Sequence, residues 1–286
     1  MVRCEVCFRK CRLSEGQVGF CGGRVCRGGE VTALNYGKVT SVALDPIEKK
    51  PLNRFHPGSM ILSVGSFGCD MRCPFCQNHS ISWSQEAERF RGECDTLFPE
   101  QLAELALACR PRGNIGAAFT YNEPLIGFEY IRDAARLVRE AGLMNVIVTN
   151  GSAELWVLEE LLPYTDAMNI DLKSFDGDCY RRTLGGELET VKRFIARAVQ
   201  GCHVELTTLI VPGMNDSEEE LIRMTEWIAS LTDGNGNVIG ADIPLHISRF
   251  FPRFKMTDRP PTDVKLIYRL ADLARRRLRF VYTGNC

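Results

Sequence analysis

Cys69-Asp70-Met71-Arg72-Cys73-Pro74-Phe75-Cys76 decides how this chain reads. It follows an apolar run, Met60-Ile61-Leu62-Ser63-Val64, of the kind that forms a buried strand. Three thiols therefore stand on one tight loop just past a strand, spaced C-x3-C-x2-C. Such a loop can grip three corners of a cubane iron–sulfur cluster and leave the fourth iron without a protein ligand. The competing reading is a structural zinc site with a remote fourth ligand. Zinc sites favour paired C-x2-C units, and none lies beside this loop.

Outward from the loop, strands and helices alternate. Helical periodicity covers Pro99 to Cys109, Pro124 to Ala141, Ala153 to Leu162, Glu187 to Gln200 and Asp263 to Arg276. Ser217, with Glu220 three residues on, reads as a capping box that opens one more helix. Strand runs lie at Ile115 to Phe119, Asn145 to Thr149, Ala167 to Lys173, His203 to Val211, Leu245 to Ile247 and Arg279 to Tyr282. This alternation predicts parallel strands joined by right-handed crossovers. No dinucleotide-type glycine fingerprint follows any strand, which weakens an open doubly wound sheet. The fold expected is α/β: a partial (β/α)6-type TIM barrel over residues 58–286. The polar outliers all fall at strand ends, where such barrels build their sites. They are the cysteine loop, Tyr121-Asn122-Glu123, Asn150-Gly151, Asp171 with Lys173, Pro212-Gly213-Met214-Asn215, His246 and Gly284-Asn285.

Residues 1–57 read differently. They are rich in Cys, Gly and Arg, lack helical periodicity, and end in the Pro-punctuated stretch from Asp45-Pro46 to His56-Pro57. A small Cys-rich N-terminal module and a linker are expected there. This segment holds 10 Lys and Arg against 5 Asp and Glu, in a chain of 286 residues whose net charge is −1. That excess is not the basic stripe of a nucleic-acid module, and no nucleic-acid partner is expected. No apolar run approaches the ~18–20 residues a membrane helix needs. Met1-Val2-Arg3-Cys4-Glu5 has no apolar signal core, so a cytoplasmic protein is expected. Thirteen cysteines at clustered spacings in a reducing compartment read as metal sites rather than disulfides. Cys4, Cys7, Cys11 and Cys21 could supply four thiolates to a closed site for zinc or an auxiliary iron–sulfur cluster, with Cys26 near enough to replace one. Free thiols on an ordinary loop are the alternative. Cys94, Cys109, Cys179, Cys202 and Cys286 read as core or inert thiols.

The chain resembles the radical S-adenosylmethionine (SAM) superfamily. Within it, the pyruvate formate-lyase activating-enzyme-like branch is nearest, and in that branch the radical SAM proteins of the AmmeMemoRadiSam system. The cysteine loop carries the resemblance, with Cys4-x2-Cys7-x3-Cys11, Asp45-Pro46-Ile47-Glu48-Lys49-Lys50-Pro51-Leu52, Thr120-Tyr121-Asn122-Glu123-Pro124, Asp171-Leu172-Lys173, Pro212-Gly213-Met214-Asn215-Asp216 and Ser248-Arg249-Phe250-Phe251-Pro252. It implies a [4Fe–4S] cluster on Cys69, Cys73 and Cys76, with SAM on the open iron. It also implies reductive cleavage of SAM to a 5′-deoxyadenosyl radical, and hydrogen abstraction by that radical from a substrate. An activating enzyme would take the hydrogen from a glycine or other backbone site of an acceptor protein. Radical modification of a small molecule or peptide is a second possibility, and a metal-stapled binding protein that turns nothing over a third. A low-potential electron donor such as flavodoxin or ferredoxin is implied as partner.

The resemblance also assigns residues. Phe75 matches an aromatic near the adenine. Glu123 matches the acid of a Gly-Gly-Glu motif that holds the SAM amine, with Tyr121 and Asn122 in place of the glycines. Asn150 lies in a segment near the ribose, where Val148 replaces an acid. Asp171 and Lys173, two apart and so on one strand face, match residues at the methionine end of SAM or on the substrate side. His246 matches a histidine near SAM. Read without the resemblance, the same residues are loop packing, a helix-start carboxylate, a turn, an ion pair and a core histidine.

Overall fold

The computed structural model describes residues 1–286. Strand β1 (Ser41–Pro46) lies antiparallel against β2 (Met60–Gly65). From β2 the strands run parallel, side by side in chain order: β3 (Asn114–Thr120), β4 (Met144–Thr149), β5 (Ala167–Asp171), β6 (His203–Ile210), β7 (Leu245–Arg249) and β8 (Val281–Gly284). β1 and β8 do not pair, so the barrel is open along one side. Helices α1 (Pro99–Ala108), α2 (Phe128–Glu140), α3 (Leu155–Leu161), α4 (Leu188–Ala198), α5 (Glu218–Ala229) and α6 (Val264–Ala274) make the crossovers. The expected α/β partial barrel is what forms.

The helices form because each carries one apolar stripe. In α2 the buried residues include Phe128, Ile131, Ala134, Ala135 and Val138, a spacing of three and four. They meet Leu62, Phe119, Ile147, Met168 and Ile170 on the outer face of the sheet in one large core. Some boundaries move. Pro124–Gly127 is a 3-10 turn that precedes α2. The last strand starts at Val281, because Arg279 N–H donates to the Ala241 carbonyl outside the sheet. The capping box at α5 is half formed. Ser217 accepts the Glu220 N–H, but the Glu220 carboxylate turns to Ser174 Oγ and Phe175 N, each at 2.6 Å, and braces the loop after β5 instead.

A bulge interrupts the β2–β3 register between Met60 and Leu62. Buried Asn114 stitches it, accepting the Leu62 N–H at 2.8 Å and donating to the Ala106 carbonyl at 2.7 Å. Two residues on, Gly116 runs so close to β4 that a Cβ would stand 1.8 Å from the Met144 carbonyl oxygen. Neither strand can yield without losing its ladder. Gly116→Ala should therefore cost about 3 kcal/mol, seen as a lower urea midpoint with an unchanged slope.

The stretch expected to be a linker is a plug. Ile47 and Leu52 are fully buried with Ile61, Ala118, Val146 and Ala167, in an apolar layer inside the end of the barrel away from the cysteine loop. The Pro51 carbonyl accepts from Asn169 Nδ2 at 2.9 Å. Asn53 N and Arg54 N donate to the carboxylate of Glu205, which is 0% exposed. Nor is the segment before residue 57 purely irregular. It forms the ribbons Val2–Arg3 with Arg12–Leu13 and Arg24–Arg27 with Glu30–Ala33, and β1 joins the main sheet. No helix is long and apolar enough to cross a membrane.

Candidate active site

The other end of the barrel holds a cavity of about 420 Å³. Cys69, Phe75, Cys73 and Cys76 line it from the loop after β2, Tyr121 to Glu123 from after β3, and Val148 to Asn150 from β4 and the turn beyond. Asp171 and Lys173 line it from the end of β5, Thr207 and Leu209 from β6, and Arg249 and Phe250 from the end of β7. Phe75, Glu123, Asn150, Asp171 and Lys173 thus converge on the three thiols. His246 does not line the cavity. It stands in register with Thr207, but its Nε2 is bonded to Glu205 Oε2 at 2.7 Å and its ring stacks on Tyr282. It serves the plugged end.

The cysteine loop is fixed by its own polar atoms. Met71 N–H and Asn150 Nδ2 point at Cys69 Sγ, at 3.4 and 3.8 Å. Asp70, which the sequence reading passed over, is 1% exposed and accepts from Asn150 Nδ2 at 2.9 Å and Ser152 Oγ at 2.6 Å. The Asn150 side chain is therefore occupied in tying β4 to the loop. An acid between two of three clustered cysteines was the available signal. Burial pushes the Cys73 thiol up to about 12 and the Cys69 thiol up as well. A cationic partner would favour the thiolates there. Three thiols on one loop are the donor set that iron–sulfur clusters take.

Glu123 is buried and accepts from Leu125 N at 3.1 Å, Thr149 Oγ1 at 2.7 Å and Asn150 N at 2.8 Å. Burial, and then the charge of Asp70, push its carboxyl up to about 8. It fills the helix-start role and still faces the cavity, where a cationic guest would favour its ionised form. Lys173 Nζ lies 2.5 Å from Asp171 Oδ2. Burial works against the lysine's charge, but Asp171 and Cys73 outweigh it and its pKa is raised. Lys173 therefore keeps its charge on the wall.

Tyr121 stands two residues before Glu123 in a strained backbone position. Its φ is +75°, a backbone conformation that glycine adopts freely. Its hydroxyl donates to Asp45 Oδ2 at 2.7 Å, and Lys50 Nζ, bonded to the same oxygen, sits 4.6 Å over its ring. Asn215 shapes the turn after β6, holding Val211 N and the Lys173 carbonyl. Arg249 was quoted in the sequence only for resemblance, yet it lines the cavity, with Nε donating to the Thr262 carbonyl and no carboxylate partner.

Residues 63–225 match the radical SAM superfamily. Over 287 residues, the chain is 39% identical to an uncharacterized protein of Methanocaldococcus jannaschii, covering 99% of this chain and 81% of that one. This chain belongs to the radical SAM superfamily, whose members bind SAM and generate radicals from it. More distantly, it is 28% identical to the pyruvate formate-lyase-activating enzyme of Clostridium pasteurianum, over 57% of this chain and 67% of that one. Streptococcus suis SuiB bound to S-adenosylmethionine matches in fold, with a TM-score of 0.57 at 15% identity, over 79% of this chain and 52% of that one.

Proposed function

We propose that Cys69, Cys73 and Cys76 hold a [4Fe–4S] cluster and that SAM binds beside it. In this reading Glu123 accepts the SAM ammonium, Lys173 meets its carboxylate, and Phe75 packs on the adenine. When bound, the cluster and SAM supply one-electron chemistry and a hydrogen-abstracting radical. The chain supplies position: three thiols, an acid in need of a cation and a buried Asp–Lys pair on one wall. Phe250 and Leu209 add apolar surface to the cavity. The observation that carries the reading is the convergence of these groups in one cavity at the strand ends.

The finer proposal is an activating enzyme that takes hydrogen from a backbone site, a glycine, of an acceptor protein. It would work in the cytoplasm with flavodoxin or ferredoxin as electron donor. The likeness to pyruvate formate-lyase-activating enzymes supports it. Radical modification of a small acidic substrate is the second reading, favoured by Arg249, a residue of the cavity lining with no carboxylate partner.

Low-temperature EPR of the anaerobically reconstituted, reduced protein tests the core of this reading. A [4Fe–4S]⁺ signal whose shape changes on adding SAM is expected. A signal indifferent to SAM would overturn it. Glu123→Gln should leave iron content unchanged. It should shift the SAM titration by about ten- to a hundredfold, because the amide N–H₂ replaces one carboxylate oxygen and faces either Asn150 N or the pair Leu125 N and Thr149 Oγ1. Radical signal on an added acceptor protein would separate the activating role from small-molecule chemistry.

A further inference from the structure

A second group of thiols lies behind the cysteine loop, outside the cavity. The ribbon Val2–Arg3 with Arg12–Leu13 places Cys4 against Cys11, whose carbonyl accepts the Cys4 N–H at 2.8 Å. A turn closed by Lys10 N to the Cys7 carbonyl sets Cys7 at the ribbon's tip. Cys21 is near enough to Cys4 and Cys7 for their charges to interact. Cys4, Cys7 and Cys21 are buried and Cys11 partly so, while Cys26 is buried apart on the ribbon Arg24–Arg27.

Two features mark these four as ligands. The Arg9 N–H lies beside the Cys7 sulfur and the Gly23 N–H beside the Cys21 sulfur, where each favours the thiolate. The same two-residue offset recurs at Cys69, from Met71, and at Cys76, from Asn78. Amide donors of this kind orient and tune metal-bound thiolates. Three guanidiniums also surround the group: Arg9 beside Cys7 and Cys11, Arg24 beside Cys4 and Cys21, and Arg72 beside Cys21. Arg9 and Arg72 stack on Phe20 and bond to backbone carbonyls, with no carboxylate in ion-pair contact. Unpaired cations around thiols fit an anionic metal–thiolate centre.

We infer that Cys4, Cys7, Cys11 and Cys21 hold a second, fully ligated [4Fe–4S] cluster that relays electrons to the first. The two loops touch directly: Cys69 N–H donates to the Cys21 carbonyl at 3.0 Å. Gly68 has no room for a side chain, since a Cβ would lie 2.7 Å from that oxygen. A cleft of about 110 Å³, lined in part by Phe20, Cys21, Gly22 and Trp83, opens beside Cys21 and gives a donor its approach. One electron from a low-potential donor such as reduced flavodoxin takes this cluster from 2+ to 1+. Passing it to the first cluster returns the second to 2+, and no bond or proton moves. Occupancy of the site stands apart from the proposed function, and only the relay rests on it.

The test is a chain carrying Cys69→Ala, Cys73→Ala and Cys76→Ala, reconstituted anaerobically with ferrous iron and sulfide. It should hold about four irons and four sulfides, against about eight in the unaltered chain, with an EPR signal that SAM leaves unchanged. No iron in this variant while the unaltered chain binds about four, or one zinc per chain instead, would overturn the site. Retention of these irons with an unaltered chain indifferent to SAM would sink the proposed function and leave this site standing. A chain with Cys4→Ala and Cys7→Ala tests the relay. Its first cluster should be reduced by dithionite and no longer by reduced flavodoxin, and continued reduction by flavodoxin would overturn the relay. Should that chain fail to fold, the iron count of the first variant still decides the site, and Cys26→Ala should leave the count unchanged.

Discussion

Replacing Cys73 with alanine should give a folded protein in which SAM no longer changes the EPR signal and SAM cleavage falls to background. Cys73 is buried in the cavity wall, and losing one sulfur atom from a packed site costs only about 1 kcal/mol. The chemical loss is far larger. Two thiols cannot hold three corners of a cubane, and neither Asp171 nor Glu123 can take the vacated corner: Asp171 is paired with Lys173, and Glu123 is held by three donors. Iron analysis, EPR and quantified SAM cleavage on one preparation check it. Cys202→Ala is the control. Its thiol points at the Ala198 carbonyl, outside the cavity, and its loss should leave all three readouts unchanged. A Cys73→Ala protein that still responds to SAM would mean that the cluster sits elsewhere.

The second large effect concerns stability. Glu205→Ala should cost about 3–5 kcal/mol. The carboxylate is fully buried and accepts from Asn53 N at 3.0 Å and Arg54 N at 2.7 Å, with His203 and His246 against it at 3.1 and 2.7 Å. Alanine leaves all four partners facing one another inside the barrel. Burial disfavours the charge of Glu205, but His203, His246 and the Arg54 N–H outweigh it and hold the carboxyl down at about 2, from an ordinary 4.5. A depressed acid stabilises the fold fully above its unfolded pKa. That contribution, on the order of 3 kcal/mol, is lost as pH falls from about 4.5 towards 2. Urea unfolding of both proteins should therefore show a wide gap at pH 7 that narrows in acid. A gap that stays constant with pH would show that the residue acts through packing alone.

The parts of this molecule legible in its sequence are those with short-range signals. The cysteine loop, Glu123, Asp171 and Lys173 each follow an apolar run, so their place at the strand ends can be read without knowing how the strands pair. The plug is different. Ile47 and Leu52 are two apolar residues among prolines and charges, and their partners Ala118, Val146 and Ala167 come from far along the chain. No periodicity announces such a contact. His246 was placed on the correct strand, but its ring direction depends on Glu205, a neighbour on another strand. Asp70 was hidden by the cysteines around it. The cap at Ser217 was visible locally, whereas the loop that drew the Glu220 carboxylate away was not.

The barrel's dependence on its first residues sets a lower limit on the autonomous folding unit. A fragment beginning at residue 63, where the superfamily match starts, would lose β1, half of β2 and both large side chains of the plug. It would also lose Arg24, whose guanidinium grips Glu129 at 2.7 Å and the Ile126 carbonyl at 2.9 Å, at the start of α2. The barrel interior would open to water at its base, with the Glu205 carboxylate stripped of its two amide partners. The stretch that matches the superfamily is therefore shorter than the stretch that can fold, and any dissection of this protein has to begin well upstream of Cys69.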